Sequence, residues 1–330
     1  MKINLIKHKK NYFASKSVLV IGSGSIANKH IKILIGLKFK VICLIKSNSE
    51  KRRFSGLIRK KINFVNDLEL KKKKNFLFVI IASSTYKHIK NLDFFSKKKI
   101  NIFCEKPISN NLFLIKKVRN QLKKNKIHFF INYQLRQHNL VNKLKKIIKS
   151  ENIYSVYLKV GHNVKYWRKN KARNKSYYLD VKKGGGVIFE LVHEINLIRY
   201  LFGEIKIIKT IKKNRLQKNC EDQALSIFKT KNNIPGILVQ DMISEKKERY
   251  VEILSSNKKI RLDFVKNKIF VKSKNISKVI KNTERDNQMN LIKKNILFYI
   301  SWIFNKKTSL KFYDDAVKDL KICLKMHEKF

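Results

Sequence analysis

Proline and acidic residues are scarce in this chain of 330 residues. It contains two prolines, and its 23 Asp and Glu stand against 77 Lys and Arg, a formal net charge of +54. Hydrophobic residues nevertheless make up 43% of the sequence, which is enough to build packed cores. This composition excludes a disordered tail, and the length is sufficient for two domains.

Cysteine is also scarce, and long apolar runs are missing. The four cysteines form no C-x-x-C pair, which indicates free thiols in a reducing compartment. The longest apolar run, residues 296–304, is about half a membrane span. Charge interrupts residues 1–16, which contain no convincing cleavage site. His193-Glu194 lacks the second histidine of a zinc site. We expect a cytoplasmic protein with no metal site and no membrane partner.

The positive charge allows two interpretations. One is a nucleic-acid binder, because basic surfaces attract phosphates. The other is general residue usage, since 65 lysines outnumber 12 arginines and are scattered through every segment. A dedicated nucleic-acid reader would use more arginine for bidentate contacts. We therefore expect an acidic small-molecule substrate and no specific nucleic-acid partner.

Apolar segments alternate with amphipathic ones in the first part of the chain. Helix-like pieces separate six strand-like runs, which lie at 17–22, 40–45, 62–65, 76–82, 100–104 and 128–133. Strands that are apolar throughout and alternate with helices indicate a parallel sheet covered on both faces. Residues 1–133 are therefore predicted to form a doubly wound α/β domain of the Rossmann type.

The pattern changes after about residue 150. One alternating strand covers 152–164, one helix covers about 187–202, and several further alternating segments follow before two closing helices. This order indicates an α+β domain with a large, mostly antiparallel open sheet. We assign residues 134–330 to this second domain.

A glycine-rich turn follows the first strand. Residues 22–27 have the G-x-G-x-x-A spacing and open a helix, which is the context that a dinucleotide site requires. The first glycine allows the tight turn, the second lets a phosphate approach the backbone, and the alanine permits close helix packing. The helix N-terminus offers N–H groups to a pyrophosphate. We predict that NAD or NADP binds at Gly22, Gly24, Ser25, Ile26 and Ala27.

The end of the second strand lacks the carboxylate that NAD sites usually place there for the ribose hydroxyls. Residues 46–49 read Lys-Ser-Asn-Ser, the first acid is Glu50, and residues 51–53 read Lys-Arg-Arg. A missing carboxylate and nearby cations suit a 2′-phosphate, which favours NADP. The same cations are, however, common throughout the chain. Ser47 and Arg52 are the candidate contacts here.

A tripeptide at the end of the fifth strand contains one of the two prolines. Glu105-Lys106-Pro107 lies at the carboxyl edge of the predicted sheet, where ligands bind in doubly wound folds. Pro107 fixes the turn, and a cis peptide bond before it would aim Lys106 into the cleft. An ammonium at Lys106 can hydrogen-bond a substrate hydroxyl and stabilise a developing alkoxide. Lys106 is therefore a candidate catalytic residue.

The helix predicted over 187–202 carries a second candidate. His193 lies roughly opposite the apolar face of this helix, with Glu190 and Asn196 three residues to either side. Because Phe189 and Leu197 share that side, we expect it to face a partly closed cleft. A histidine there with a polar neighbour can serve as a general base, and a hydrogen-bonded structural histidine is the alternative.

Together these segments resemble the Gfo/Idh/MocA oxidoreductases, the relatives of glucose-fructose oxidoreductase and inositol dehydrogenase. The glycine turn, the Glu-Lys-Pro turn and the Gly-Gly-Gly helix with His193 occur in the same order. Smaller similarities are at 85–88, 132–138, 167–177, 221–222, Asp241 and Arg249. The 167–177 loop and the His-Glu-Ile element are similar to a subgroup associated with bacterial surface-sugar synthesis.

The resemblance implies hydride transfer between a nicotinamide and a hydroxyl or keto carbon of a sugar, sugar acid or nucleotide sugar. It makes Lys106 a contact of cofactor and substrate, His193 the proton acceptor and Glu190 a third catalytic residue. The further cofactor contacts that it implies are Ser83, Thr85, His88, Glu105 and Lys106. The substrate contacts that it implies are Arg136, Trp167, Arg168, Arg173, Tyr177 and Asn196. This basic set suits a sugar with a carboxylate or a nucleotide phosphate.

Two departures from the family pattern leave an alternative open. The family often has Asp at the positions of Glu190 and Asn196, and an asparagine cannot supply a carboxylate to orient a histidine. A member that holds the dinucleotide without turnover is therefore the second hypothesis. The resemblance also implies a homo-oligomer, a dimer or tetramer built on the open sheet of the second domain.

Overall fold

A computed structural model describes residues 15–67, 70, 75–167, 177–215, 219–305 and 307–328. The chain forms two compact units. One comprises Met1–Asn132 and Gln288–Val317, and the other comprises Tyr133–Asn287 and Lys318–Phe330. Within the described residues, none of the helices has both the length and the hydrophobicity that crossing a bilayer would require.

The first unit contains a six-stranded parallel sheet. Its strands are β1 (Ser17–Ile21), β2 (Lys40–Leu44), β3 (Ile62–Val65), β4 (Phe78–Ile81), β5 (Ile102–Cys104) and β6 (Phe129–Ile131). The helices that alternate with them are α1 (Ser25–Gly36), α2 (Asn48–Lys51), α3 (Gly56–Arg59), α4 (His88–Lys97) and α5 (Ile115–Lys124). The strand order is β3-β2-β1-β4-β5-β6. This confirms the doubly wound parallel sheet, in which the order reverses beside β1 and β4.

The second unit contains an eight-stranded sheet. Its strands are β7 (Ile153–Gly161), β8 (Ile205–Lys213), β9 (Gln223–Thr230), β10 (Pro235–Asp241), β11 (Glu248–Ser255), β12 (Lys259–Asp263), β13 (Lys268–Lys272) and β14 (Ser277–Lys281). The order is β14-β13-β12-β11-β7-β10-β9-β8, and β7 with β10 is its parallel pair. Strands such as β9 alternate buried and exposed side chains, as expected when one face is covered. The predicted mostly antiparallel open sheet is confirmed.

The helices of the second unit include a break that the sequence did not predict. They are α6 (Asn139–Ile147), α7 (Val164–Trp167), α8 (Val187–Glu190) and α9 (Val192–Phe202). The single helix predicted over 187–202 is wrong, because Leu191 leaves the helical conformation with φ −105° and ψ 29°. Its carbonyl accepts a hydrogen bond from Gln240 Nε2 at 3.0 Å. A side chain that bonds to the backbone in this way commonly accompanies a helix break.

Two helices close the chain, α10 (Gln288–Phe304) and α11 (Lys311–His327). The sequence placed both in the second domain, whereas α10 belongs to the first unit. Ile292, Ile296 and Tyr299 of α10 are buried in the core that also contains Phe78 and Phe103 of the sheet. The boundary at residue 133 therefore describes only one end of the first unit, because the chain returns to it much later.

Candidate functional site

The glycine turn after β1 has room for an anion. A Cβ at Gly22, where φ is +127°, would lie 2.4 Å from the Ala82 carbonyl oxygen, so this position requires glycine. A Cβ at Gly24 would meet nothing within 4 Å, so the backbone is open there. Helix α1 begins at Ser25 without a side-chain cap from any described residue and without an acid in its first turn. These features fit the pyrophosphate of a dinucleotide.

The other predicted cofactor residues of this turn differ in their exposure to solvent. Ala27 is fully buried against the sheet, Ile26 is half-buried and Ser25 is exposed. This matches a helix that packs through its alanine side and leaves its first residue open.

The end of β2 places cations close to the glycine turn. The Glu50 carboxylate accepts a hydrogen bond from the Lys46 backbone N–H at 2.8 Å. Arg53 reaches the turn itself, where its Nη1 donates to Ser23 Oγ at 3.1 Å. Ser47 is exposed and hydrogen-bonds Ser49, and Arg52 is exposed. The structure thus brings Arg53, rather than the predicted Arg52, to the glycine turn.

His88 connects the end of β4 to the Glu-Lys-Pro turn. Its Nδ1 is 2.8 Å from the Pro107 carbonyl oxygen, and its Nε2 is 2.9 Å from that of Ser83. Burial lowers the pKa of His88. Ser83 Oγ accepts a hydrogen bond from Asn91, and Thr85 is buried. A neutral imidazole has a single N–H, so His88 donates to one of these two carbonyl oxygens and lies against the other, between the two loops.

Glu105 is held by a buried hydrogen-bond network. Its Oε1 accepts from His30 Nε2 and from Asn132 Nδ2, each at 2.6 Å. Asn132 in turn accepts from Asn295 Nδ2 of α10 at 2.7 Å. Burial acts to raise the pKa of Glu105, but these hydrogen bonds and the charge of Lys106 outweigh it and lower the pKa. The carboxylate that precedes Lys106 is therefore fixed in place and ionised at neutral pH.

Lys106 follows directly and is half-buried. The Lys106–Pro107 peptide bond is cis. The turn is thus held on one side by the Glu105 network and on the other by the contact between the Pro107 carbonyl and His88.

His193 lies in the first turn of α9 and has 8% of its surface exposed. Its Nε2 is 3.4 Å from Nε2 of the buried Gln134. The Tyr133 ring lies edge-on to it, with centroids 6.2 Å apart. The polar neighbour of His193 therefore comes from the turn 134–137, whereas the sequence analysis expected it on the helix that carries His193.

Asn196 and Arg136, both predicted substrate contacts, are bonded to each other. Arg136 Nε donates to Asn196 Oδ1 at 2.9 Å. Asn196 Nδ2 donates to Oδ2 of Asp319 on α11 at 2.7 Å. Asn196 has 2% of its surface exposed, so its amide is occupied on both sides.

Glu190 and Tyr177 lie on either side of a glycine turn. Glu190 is half-buried at the end of α8, and its backbone N–H bonds the Gly186 carbonyl. A Cβ at Gly185 would come within 2.5 Å of the Tyr177 carbonyl oxygen, so this glycine allows the close approach. Trp167 ends α7, but its side chain lies outside the described residues, as do Arg168 and Arg173.

Metal ligation finds no support in the described part of the chain, where no group of three or more His, Cys, Asp or Glu is arranged to hold an ion.

Comparison with known protein families accounts for both units. Residues 16–133 match the model described as "Oxidoreductase family, NAD-binding Rossmann fold", and residues 141–261 match "GFO/IDH/MocA C-terminal domain". Together the two matches cover more than half of the chain. The chain belongs to the Gfo/Idh/MocA family. The family assignment made from the sequence is confirmed.

A curated member of the Gfo/Idh/MocA family matches over part of the chain. Myo-inositol 2-dehydrogenase of Thermotoga maritima is 27% identical over 137 residues. That match spans 41% of this chain and only 39% of the length of the relative.

Solved structures of the Gfo/Idh/MocA family match over almost the whole chain. The 3-ketoreductase KijD10 from Actinomadura kijaniata, in complex with NADP and TDP-benzene, has a TM-score of 0.80 at 12% identity, over 93% of this chain and 95% of its own. UDP-N-acetylglucosamine 3-dehydrogenase from Acidithiobacillus ferrooxidans has a TM-score of 0.76 at 14% identity, over 94% and 95%. At this identity the likeness shows the fold.

Several site residues escaped the sequence reasoning. His30 was predictable, because its spacing of three from Ala27 places it on the buried face of α1, where a histidine needs a partner. Asp319 was predictable too, since it lies between the buried Ala316 and Cys323 on α11. No local signal marked Gln134, which is positioned by the turn that follows β6.

Proposed function

We propose that this protein is an NAD(P)-dependent oxidoreductase that acts on a CH–OH or keto carbon of a sugar-type substrate. The observation that carries the proposal is the open, uncapped N-terminus of α1 beside a Glu-Lys-Pro turn whose carboxylate is locked by His30 and Asn132. Such locking has a use where a charged group must be held ready for chemistry. The first unit would bind the dinucleotide, and the second unit would bind the substrate.

The cofactor would be held by the backbone of the glycine turn and the N-terminus of α1. When bound, its nicotinamide accepts or supplies the hydride. Lys106 donates a hydrogen bond to the substrate oxygen and stabilises negative charge that develops on it. His193, beside Gln134, takes the proton of the substrate hydroxyl, or returns it in the reverse reaction. Glu190 is the third candidate in this group.

Single substitutions test these roles. Lys106→Ala and His193→Ala should each lower turnover by about 10²–10⁴-fold, because each removes a group that acts on the reacting oxygen. Cofactor binding should survive His193→Ala. The measurement is the absorbance of the nicotinamide during incubation with a panel of nucleotide sugars and sugar acids, and Lys90→Ala, on the exposed side of α4, is the control. Full activity of His193→Ala would refute its role as the base.

A binding protein without turnover is the competing hypothesis, and it rests on Asn196 and Glu190. It predicts tight dinucleotide binding and no change in nicotinamide absorbance with any member of the panel.

We propose NADP as the preferred cofactor. The Arg53 guanidinium beside Ser23 and the exposed cations at the end of β2 support this preference. The Glu50 carboxylate, engaged with the Lys46 backbone N–H, is not presented as a free partner for ribose hydroxyls. A 2′-phosphate would gain a charge-assisted contact there.

Fluorescence titration with NADH and NADPH at moderate salt tests this preference. Arg53→Ser should weaken NADPH binding by about tenfold and leave NADH binding nearly unchanged, as expected for the loss of one charged hydrogen bond. Arg52→Ser is the matched comparison, since Arg52 is also exposed and next in sequence. Equal loss for both cofactors, or tighter NADH binding by the unaltered protein, would contradict the NADP proposal.

We further propose that the substrate is anionic, such as a nucleotide sugar or sugar acid, and that the reaction belongs to cytoplasmic synthesis of bacterial surface polysaccharides. KijD10 and the Acidithiobacillus dehydrogenase, whose names refer to TDP and UDP compounds, support a nucleotide sugar. The net charge of +54 also favours an anionic ligand over a neutral one.

A homo-oligomer completes the proposal. The outer face of the eight-stranded sheet carries neighbouring apolar side chains, since Ile237 is in register with Ile227 and with Tyr157. Ile227 and Ile237 have 40% and 39% of their surface exposed. A second copy with the same face would cover these side chains.

A further inference from the structure

A fully buried carboxylate lies at the centre of the polar network of the second unit. Asp319 of α11 has 0% of its surface exposed. Its Oδ1 accepts from Arg199 Nη1 at 2.5 Å, and its Oδ2 accepts from Asn196 Nδ2 at 2.7 Å. Arg199 also binds Glu204 through Nε and Nη2 at 3.2 and 2.9 Å. The two oxygens of Asp319 therefore serve two different partners, and the Tyr133 hydroxyl is a further neighbour of this carboxyl group.

These contacts determine which way the Asn196 amide points. Burial raises the pKa of Asp319 although the Arg199 guanidinium opposes the rise. A guanidinium only donates hydrogen bonds, whatever the protonation state of the carboxyl group. The amide N–H of Asn196 must therefore face Asp319, and the amide oxygen must face Arg136 Nε, 2.9 Å away. If the acceptor at Asp319 became a donor, or the donor at Arg136 became an acceptor, the Asn196 amide would be expected to rotate by about 180° about its terminal bond.

Arg136 connects this chain of bonds to the predicted substrate side. It lies two residues after Gln134, whose amide is 3.4 Å from the ring of His193. Its guanidinium lies 5.4 and 5.3 Å from the ring centroids of Tyr133 and Tyr200. Two rings and one directed hydrogen bond thus contact the Arg136 side chain.

We propose that Asp319 is a positioning residue of the substrate site, which acts through the Asn196 amide to set the orientation of Arg136. This inference rests on the proposed function, in which Arg136 binds an anionic substrate. Asn196 contributes by transmitting the direction of a hydrogen bond rather than by contacting the substrate, because its amide is already bonded at both ends. The carboxyl group that Asn196 binds lies on α11 and not on α9.

Asp319→Asn tests the relay with little change in shape. The single oxygen of the new amide should turn to the charged Arg199, which leaves its NH₂ group facing the NH₂ group of Asn196. Asn196 must then turn over and present N–H to Arg136 Nε, a donor against a donor. We expect Arg136 to be displaced.

Exchanging the two residues should repair this conflict. In the double variant N196D/D319N, the carboxylate at position 196 accepts from both Arg136 and the amide at position 319, whose oxygen accepts from Arg199. N196D alone sets two carboxylates at the 2.7 Å contact that Asn196 now makes, where they must share a proton. Glu204→Gln, which removes the other carboxylate partner of Arg199, controls for general loosening.

Two readouts follow Arg136 directly. The first is hydrogen exchange of the Arg136 Nε–H in arginine-labelled protein, assigned by its loss in Arg136→Lys. The second is KM and kcat for UDP-N-acetylglucosamine. In D319N we expect exchange at least about tenfold faster and KM about tenfold higher, with kcat within about threefold. The double variant should return to within about threefold of the unaltered protein, and E204Q should match it throughout.

The two readouts separate failure of the relay from failure of the proposed function. Unchanged Nε–H exchange in D319N, or a double variant no better than D319N, overturns the relay whatever the substrate. If exchange follows the expected pattern but the nucleotide sugar is not turned over, the relay stands and the substrate assignment is wrong.

Discussion

Glu221 caps α8 from a distant position in the sequence. Its Oε1 accepts the Ile188 N–H at 3.1 Å, and its backbone carbonyl accepts the Val187 N–H at 3.0 Å. Gly186, with φ +90°, makes room for it, since a Cβ there would lie 2.4 Å from the same carboxylate oxygen. Burial raises the pKa of Glu221 to about 7. One carboxylate thus supports the start of the helix pair that carries Glu190 and His193.

Glu221→Gln should change how stability depends on pH. The folded protein keeps a proton on Glu221 up to about pH 7, whereas the unfolded chain releases it near 4.5. This group therefore removes stability as pH rises from about 4.5 to 7. Glutamine keeps the acceptor for Ile188 and carries no charge, so the advantage of the variant in Tm should grow by about 2–4 °C or more between pH 5 and pH 8.

The control for this experiment is Glu204→Gln. Hydrogen bonding to Arg199 lowers the pKa of Glu204 to about 2, so its contribution is constant from pH 5 to 8 and is lost only in acid. His327, 3.7 Å from Glu221, has its pKa lowered to about 4 by burial and stays neutral across the same range. A difference between Glu221→Gln and the unaltered protein that does not vary with pH would refute the assignment.

The sequence alone was enough to predict some of the site residues. Gly22, Gly24 and Lys106 were predictable because their roles depend on strand–turn contexts that the apolar pattern reveals. The orientation of a side chain depends on partners distant in sequence, and no pattern revealed the contacts of Asn196 or Glu105. The direction of His88, for example, is decided by a carbonyl 19 residues away.

Helix α10 shows that the packing partner of a whole helix is also not predictable from its local sequence. Its apolar pattern predicted a helix near 286–304, close to the observed Gln288–Phe304. Its place in the first unit was not predictable, because a pattern of buried positions does not say which core they enter. Tyr299 decides it, with its ring 5.4 Å from Phe78 and its hydroxyl donating to the His128 carbonyl at 2.7 Å.

Truncation of Tyr299 should therefore destabilise the parallel-sheet unit. Tyr299→Phe removes only the buried hydrogen bond and should cost about 1 kcal/mol in the free energy of unfolding. Tyr299→Ala also leaves a cavity among aromatic rings and should cost about 3–5 kcal/mol. Urea unfolding of the nucleotide-free protein, followed by its intrinsic fluorescence, measures the loss of stability in each variant. Equal effects of the two variants would show that α10 packs only loosely on this sheet.

At the scale of the whole molecule, the fold class was fully predictable from the sequence and the distribution of charge was not informative. Continuous apolar strands and alternating ones require different sheets, so residues 17–133 and the segments after 150 could be separated. The domain boundaries were less predictable, because strand order and the return of α10 to the first unit depend on contacts between residues far apart in the sequence.

The proposed oligomer is tested at this scale. Ile227→Lys with Ile237→Lys should dissociate the assembly, because two charges would be placed in the apolar part of the sheet face. Light scattering after size-exclusion chromatography measures the mass. Leu57→Lys, at a side chain with 78% of its surface exposed in the first unit, should leave the mass unchanged. An unaltered protein that is monomeric at micromolar concentration would refute the proposal.

The return of α10 to the parallel sheet also has a consequence for synthesis of the chain. As residues 1–133 leave the ribosome, the aromatic surface of Phe78 and Phe103 lacks the helix that buries it, and this helix is more than 150 residues away. The unit whose synthesis begins first can therefore complete its core only near the end of translation. During translation its exposed core is a natural target for chaperones, and a fragment that ends at residue 133 would carry the same defect permanently.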